Sequence, residues 1–185
     1  MNKLKQLIES SVYQMLMFVI ILGYCLTLIP SKEISNIFRF LLILGTLIAF
    51  IYEGKKVLKD PIFILLGIAL IIPIFSWLNA IHVIPEHVAS GPKLDRLTRI
   101  FTFFLLAYWL KGQLSRIYWL WTVFILGFLS ACLLSPDFVA QVHRGLSGGR
   151  IDFGIKNAQF TSMFAGISLL ISLFSYPLIY YRLLF

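Results

Sequence analysis

Apolar residues in this chain come in blocks, not at a helical or alternating period. Six such blocks are separated by short polar segments, at about 12–29, 34–52, 61–80, 92–110, 117–134 and 158–176. Within a block every face of a helix is apolar, which is the pattern of a helix surrounded by lipid. The turns between blocks carry the punctuation expected of them. Pro30 closes the first run, Pro61 opens the third, and Ser135-Pro136-Asp137 ends the fifth. Glu53 to Asp60 reads as a basic loop. Pro73 falls inside the third run and predicts a kink, and Pro177 a break or kink at the end of the sixth. The fourth run is the exception. From Ile100 to Leu110 it provides roughly 16 Å of helix at 1.5 Å per residue, about half of the ~30 Å required. The span must therefore begin near Pro92, which places Arg96 and Arg99 in the membrane interface, on one helical face. The pattern predicts an all-α protein: a polytopic helical membrane protein with about six transmembrane helices, forming a single transmembrane domain over 1–185.

Composition agrees with the pattern. Of 185 residues, 59% are hydrophobic and only 13% charged, more apolar surface than a water-soluble domain of this size can hide. The net charge of +8 in a soluble protein would point to nucleic acid. Here the cations lie between apolar runs, so membrane lipid headgroups or a phosphorylated substrate are the expected partners, and no nucleic acid. Cys25 and Cys132 sit inside apolar runs and read as buried free thiols. The first run is not followed by a small-residue cleavage site, so it reads as a span and not as a signal peptide. Gly45/Ala49 and Gly127/Ala131 are small pairs at helix-contact spacing.

Six spans put the termini on one side, and the cations then divide evenly. One side holds Lys3, Lys5, Lys55, Lys56, Lys59, Lys111, Arg116 and Arg182; the other holds Lys32, Arg39, Lys93, Arg96, Arg99, Arg144, Arg150 and Lys156. Number alone leaves the orientation open. Kind decides it, because arginine suits bidentate phosphate recognition and lysine is the ordinary topogenic charge. The lysine-rich side, with the N-terminus, is read as cytoplasmic and the arginine-rich side as external.

The longest polar interruption on the external side is Val142 to Phe160. It reads as a glycine-rich loop (Gly145, Gly148, Gly149, Gly154) with Asn157 as N-cap of the last helix. Arg144, Arg150 and Lys156 beside a helix N-terminus have the makings of a phosphate site. The same residues fit a solvated loop whose cations rest at lipid headgroups. Gly145-Leu146-Ser147-Gly148-Gly149 lacks the Gly-Lys-Ser/Thr ending of a nucleotide loop. His82, Glu86 and His87 do not supply a third firm ligand for a metal site, and His143 reads as a loop histidine.

The run Gly149-Arg150-Ile151-Asp152-Phe153-Gly154-Ile155-Lys156-Asn157-Ala158-Gln159-Phe160, leading into a span with Met163, Ala165 and Gly166, resembles the O-antigen ligase family, which includes O-antigen polymerases. The order of spans, with an arginine-bearing fourth helix, is similar to the N-terminal half of such proteins. The resemblance implies an inner-membrane glycosyltransferase of the GT-C type. Its donor would be an undecaprenyl-diphosphate-linked glycan, its acceptor the lipid A core on the periplasmic face, with no metal or other cofactor. It makes Arg150 the first candidate for contact with the donor diphosphate, followed by Arg99 and Arg96 on the fourth helix, and by Arg144 and Lys156 through proximity. Family members have about twice as many spans and a catalytic periplasmic loop that does not occur before Phe185. The chain is therefore expected to be the N-terminal part of a longer protein, inactive alone and without catalytic residues of its own. A small anion or lipid transporter and a membrane assembly subunit are the readings from other classes.

Overall fold

The computed structural model describes residues 2–83, 99–155 and 158–184. Among them there are eight α-helices and no strand: α1 (Asn2–Glu9), α2 (Ser11–Thr27), α3 (Lys32–Val57), α4 (Pro61–Val83), α5 (Arg99–Leu110), α6 (Leu114–Leu133), α7 (Phe138–Leu146) and α8 (Ala158–Leu184). Helices α3, α4 and α6 are long and apolar enough to cross a membrane, and α2, α5 and α8 contain shorter apolar stretches. These six fall on the six predicted runs. Their surfaces are inside-out by the standard of a soluble protein. No residue of α4 is buried, and Ile62, Leu65, Ile72 and Phe75 are each at least 60% exposed. Such a surface is stable only against hydrocarbon, so the chain is an all-α helical membrane protein.

Several boundaries differ from the sequence reading. Helix α3 begins at Lys32 and continues to Val57, so most of the expected basic loop at 53–60 is its last turns. Only three residues then separate it from α4, where Asp60 Oδ1 accepts the Ile62 N–H at 2.8 Å and Pro61 takes the first helical position. Helix α4 runs through Pro73 and α8 through Pro177, so neither proline ends its helix. In a membrane the alternative to helix is exposed backbone polarity, which costs more than one lost hydrogen bond. The stretch 92–98, expected to start the fourth span, lies outside the described residues.

The chain divides into two compact units, one of residues 1–18 and 39–112, the other of 19–38 and 113–185. In the first, polar and aromatic groups join α2, α3 and α5. Tyr13 donates its hydroxyl proton to the Gly45 carbonyl at 2.8 Å. The buried Thr46 hydroxyl donates to Leu42 O at 2.6 Å and accepts the Trp109 indole N–H at 2.9 Å. One hydroxyl thus uses its donor and a lone pair at once. Phe50 of α3 makes edge contacts with Phe63, Phe104 and Tyr108, tying in α4 and α5. A cavity of about 440 Å³ between α4 and α5 is lined by Asp60, Ile62, Leu66, Phe103, Phe104, Ala107 and Tyr108.

Thr46→Val keeps the shape but removes the oxygen that accepts the Trp109 N–H. Interhelical hydrogen bonds in membranes average about 0.6 kcal/mol and reach ~1.7. The expected result is a loss of about 1 kcal/mol in equilibrium unfolding from mild detergent into dodecyl sulfate. A variant with the wild-type midpoint would show that the bond contributes nothing.

In the second unit small residues let helices meet. A Cβ at Gly23 would strike the Phe38 ring, and one at Gly127 would strike the Leu26 carbonyl. Phe128 and Cys132 of α6 form a core with Ile155, against which Ile29, Ala131, Phe153 and Phe164 pack. Phe164 of α8 also contacts the rings of Phe124 and Phe160. Cys25 and Cys132 are free and buried.

Candidate functional site

The polar segment that begins at Val142 is more structured than a glycine-rich loop. Its first part is helix α7, which ends at Leu146, so the loop begins at Ser147 and not at Val142. The reason is legible afterwards. Phe138, Val139, Val142 and Leu146 form one apolar stripe at helical spacing, flanked by Ser135-Pro136-Asp137 before and two glycines after. The helix is closed by a Schellman turn. The Gly148 N–H donates to Gly145 O at 3.0 Å and the Gly149 N–H to Arg144 O at 2.8 Å. Gly148 takes the left-handed conformation this turn demands, with φ +79°. Gly149 is needed for closeness, since a Cβ there would lie 2.9 Å from the Arg144 carbonyl oxygen and against its side chain.

After Arg150 the chain is held from both sides. The Gln141 side-chain oxygen, on α7, accepts the N–H groups of Asp152 and Phe153 at 3.0 and 2.9 Å. Its Nε2 lies 3.5 Å from Asp152 Oδ1. Asp152 Oδ1 also accepts the Gly154 N–H at 3.0 Å, an Asx turn. The Asp152 carbonyl accepts the Ile155 N–H at 2.8 Å and the Thr161 hydroxyl of α8 at 2.7 Å. Phe153 has φ +47°, a left-handed conformation that costs a residue with a Cβ about 1–2 kcal/mol. It is kept there by the Gln141 bond, by its ring against Phe138 at 5.7 Å, and by the core beneath. Ile155, 8% exposed, plugs the segment into that core between α6 and α8.

The outcome is a clasped turn with its two arginines outside. Arg144 and Arg150 are both exposed. The Gly149–Arg144 bond sets the residue before Arg150 against the backbone of Arg144, so the two cations rise from one turn. Lys5 pairs with Glu9 at 3.9 Å, and no carboxylate among the described residues engages the Arg144 or Arg150 guanidinium. Guanidinium groups are the donors suited to a doubly charged oxyanion. Arg144 and Arg150 thus belong to one backbone turn. Arg96 and Lys156, and Asn157 as N-cap, lie outside the described residues, and Arg99 is described only as the first backbone position of α5. Neither Arg144 nor Arg150 lines the α4–α5 cavity.

The sequence reading missed Gln141, Asp152 and Thr161, the residues that hold the turn. Asp152-Phe153-Gly154 was an available Asx-turn signal. Gln141 carried none, because a glutamine acting on backbone eleven residues away has no local pattern. Comparison with protein-family models, with curated proteins and with solved structures returns no match.

Proposed function

We propose that this chain carries the donor-binding side of an O-antigen ligase-like glycosyltransferase of the bacterial inner membrane, with its N-terminus cytoplasmic and six spans. In this reading a glycan passes from an undecaprenyl-diphosphate carrier to the lipid A core on the periplasmic face. The supporting observation is that Arg144 and Arg150 are exposed on one clasped turn with no carboxylate neutralising them. Glycan transfer leaves negative charge on the departing diphosphate, and fixed guanidinium groups stabilise it without reorganising. Arg99, Arg96 and Lys156 are further diphosphate contacts in this proposal. The resemblance at 149–160 supplies the donor class, and a polymerase of the same family would use the same contacts.

The test is binding of undecaprenyl diphosphate by the purified chain in nanodiscs. A charge-assisted contact of about 1.5–3 kcal/mol predicts that Arg150→Ala weakens binding roughly 10- to 150-fold. Arg150→Lys should fall between, retaining charge but not the fork. Equal affinity in all three proteins would remove Arg150 from the site.

A further inference from the structure

Helix α7 buries only part of its apolar stripe. Phe138 sits on Phe153, Gln141 holds the loop backbone, and a Cβ at Gly145 would meet the Ile151 side chain at 3.3 Å. These three positions define the covered face. Val139 and Leu146, seven residues apart and so in line, are 67% and 82% exposed. Ala140 and Arg144, on the remaining face, are exposed as well. The helix therefore carries an uncovered apolar edge that its own unit does not use.

The surroundings identify what covers it. Only Leu134 and the turn Ser135-Pro136-Asp137 separate α7 from α6, a helix long and apolar enough to span the membrane. The end of α6 is itself bare and apolar, with Leu133 64% and Leu134 75% exposed. Helix α7 is pinned to that end, because Phe138 packs on Phe153 and Phe153 on the cluster containing Cys132. The apolar surface thus continues from the span onto α7, which then finishes in His143 and Arg144. A short helix with an apolar edge beside a span end, carrying cations at its own end, has the make-up of a helix lying in a headgroup layer.

We propose that α7 is an interfacial helix, with Val139 and Leu146 inserted at the headgroup–acyl boundary of the bilayer and Arg144 turned to lipid phosphates. This fixes the height of the Arg144–Arg150 turn at the membrane surface, and it stands whether or not that turn binds a glycan carrier.

The experiment is site-directed spin labelling of the full chain in vesicles of phosphatidylethanolamine and phosphatidylglycerol. Nitroxides are placed at Val139→Cys, Leu146→Cys and Ala140→Cys. Cys25 and Cys132 are buried and remain, with the unsubstituted chain as background. Labels at 139 and 146 should collide readily with oxygen and poorly with a water-soluble nickel chelate, at a depth of about 5–10 Å. The label at 140 should show the reverse preference. Water-like accessibility at all three sites would overturn the proposal. So would labels at 139 and 146 shielded from both relaxants, which would mean that a second copy or another protein covers the edge.

Discussion

Replacing Gly127 by leucine should unfold the unit formed by residues 19–38 and 113–185. A Cβ at this position falls onto the Leu26 carbonyl, a backbone atom in the helix opposite. Backbone cannot rotate aside as a side chain does, so the two helices must separate. Separation opens the core of Phe128 and Cys132, against which Ile29 and Ala131 pack one turn further along. Overpacking of a tight site costs typically 1–3 kcal/mol and occasionally more. Leucine brings three carbons beyond the Cβ, so a loss of about 3 kcal/mol or more is expected. Gly45→Ala provides the contrast. Its Cβ would meet the Sδ and Cε of Met17, the flexible end of an unbranched chain. That substitution should cost under about 1 kcal/mol. Equilibrium unfolding in mixed micelles, followed by tryptophan fluorescence, measures both. A Gly127→Leu midpoint equal to wild type would mean that the α2–α6 contact does not support the fold.

The two glycines also show how far the sequence could be read. Gly45/Ala49 and Gly127/Ala131 were recognisable as small pairs, since spacing by four is a property of one helix. Which neighbour each would meet was not, because Met17 and Leu26 come from pairings between distant segments. The six apolar blocks were legible for the same local reason: lipid-facing helices are apolar on every side, and length alone separates them. Their ends were less so. Lys55 and Lys56 read as loop from their charge, yet the helix continues through them to Val57. At the candidate site Arg144 and Arg150 were singled out from charge and glycine content. Helix α7 between them and α6 was hidden by a composition that looked like loop, although its stripe and Schellman glycine were in plain order. The clasp was hidden for a stronger reason. Gln141 and Thr161 act on main-chain atoms nine to twelve residues away, and no residue type advertises such a bond. Only Asp152, bonded to the Gly154 N–H, left a local signal.

That clasp carries the largest expected effect on the site itself. Gln141→Met keeps the length of the side chain and its packing but removes the oxygen that accepts two successive N–H groups. Each orphaned donor costs about 1–3 kcal/mol where water cannot replace the acceptor, and less where it can. Both N–H groups are part-buried, so a local penalty of about 2 kcal/mol is expected. Phe153 adds to it, because its left-handed backbone is then held by the ring contact and the core alone. The predicted outcome is local opening of 150–155 without loss of the helices. Amide hydrogen exchange at Asp152 and Phe153 should accelerate about 30-fold, the equivalent of 2 kcal/mol, while exchange within α6 stays unchanged. Gln141→Glu should not rescue the turn. It restores an acceptor but sets a second carboxylate where the Gln141 amide now lies 3.5 Å from Asp152 Oδ1. If the Met variant exchanges as slowly as wild type, the turn is held by Ile155 and Thr161 without Gln141. If it opens and still binds undecaprenyl diphosphate with full affinity, the arginines do not need a fixed turn, and preorganisation is not how this site would gain its affinity.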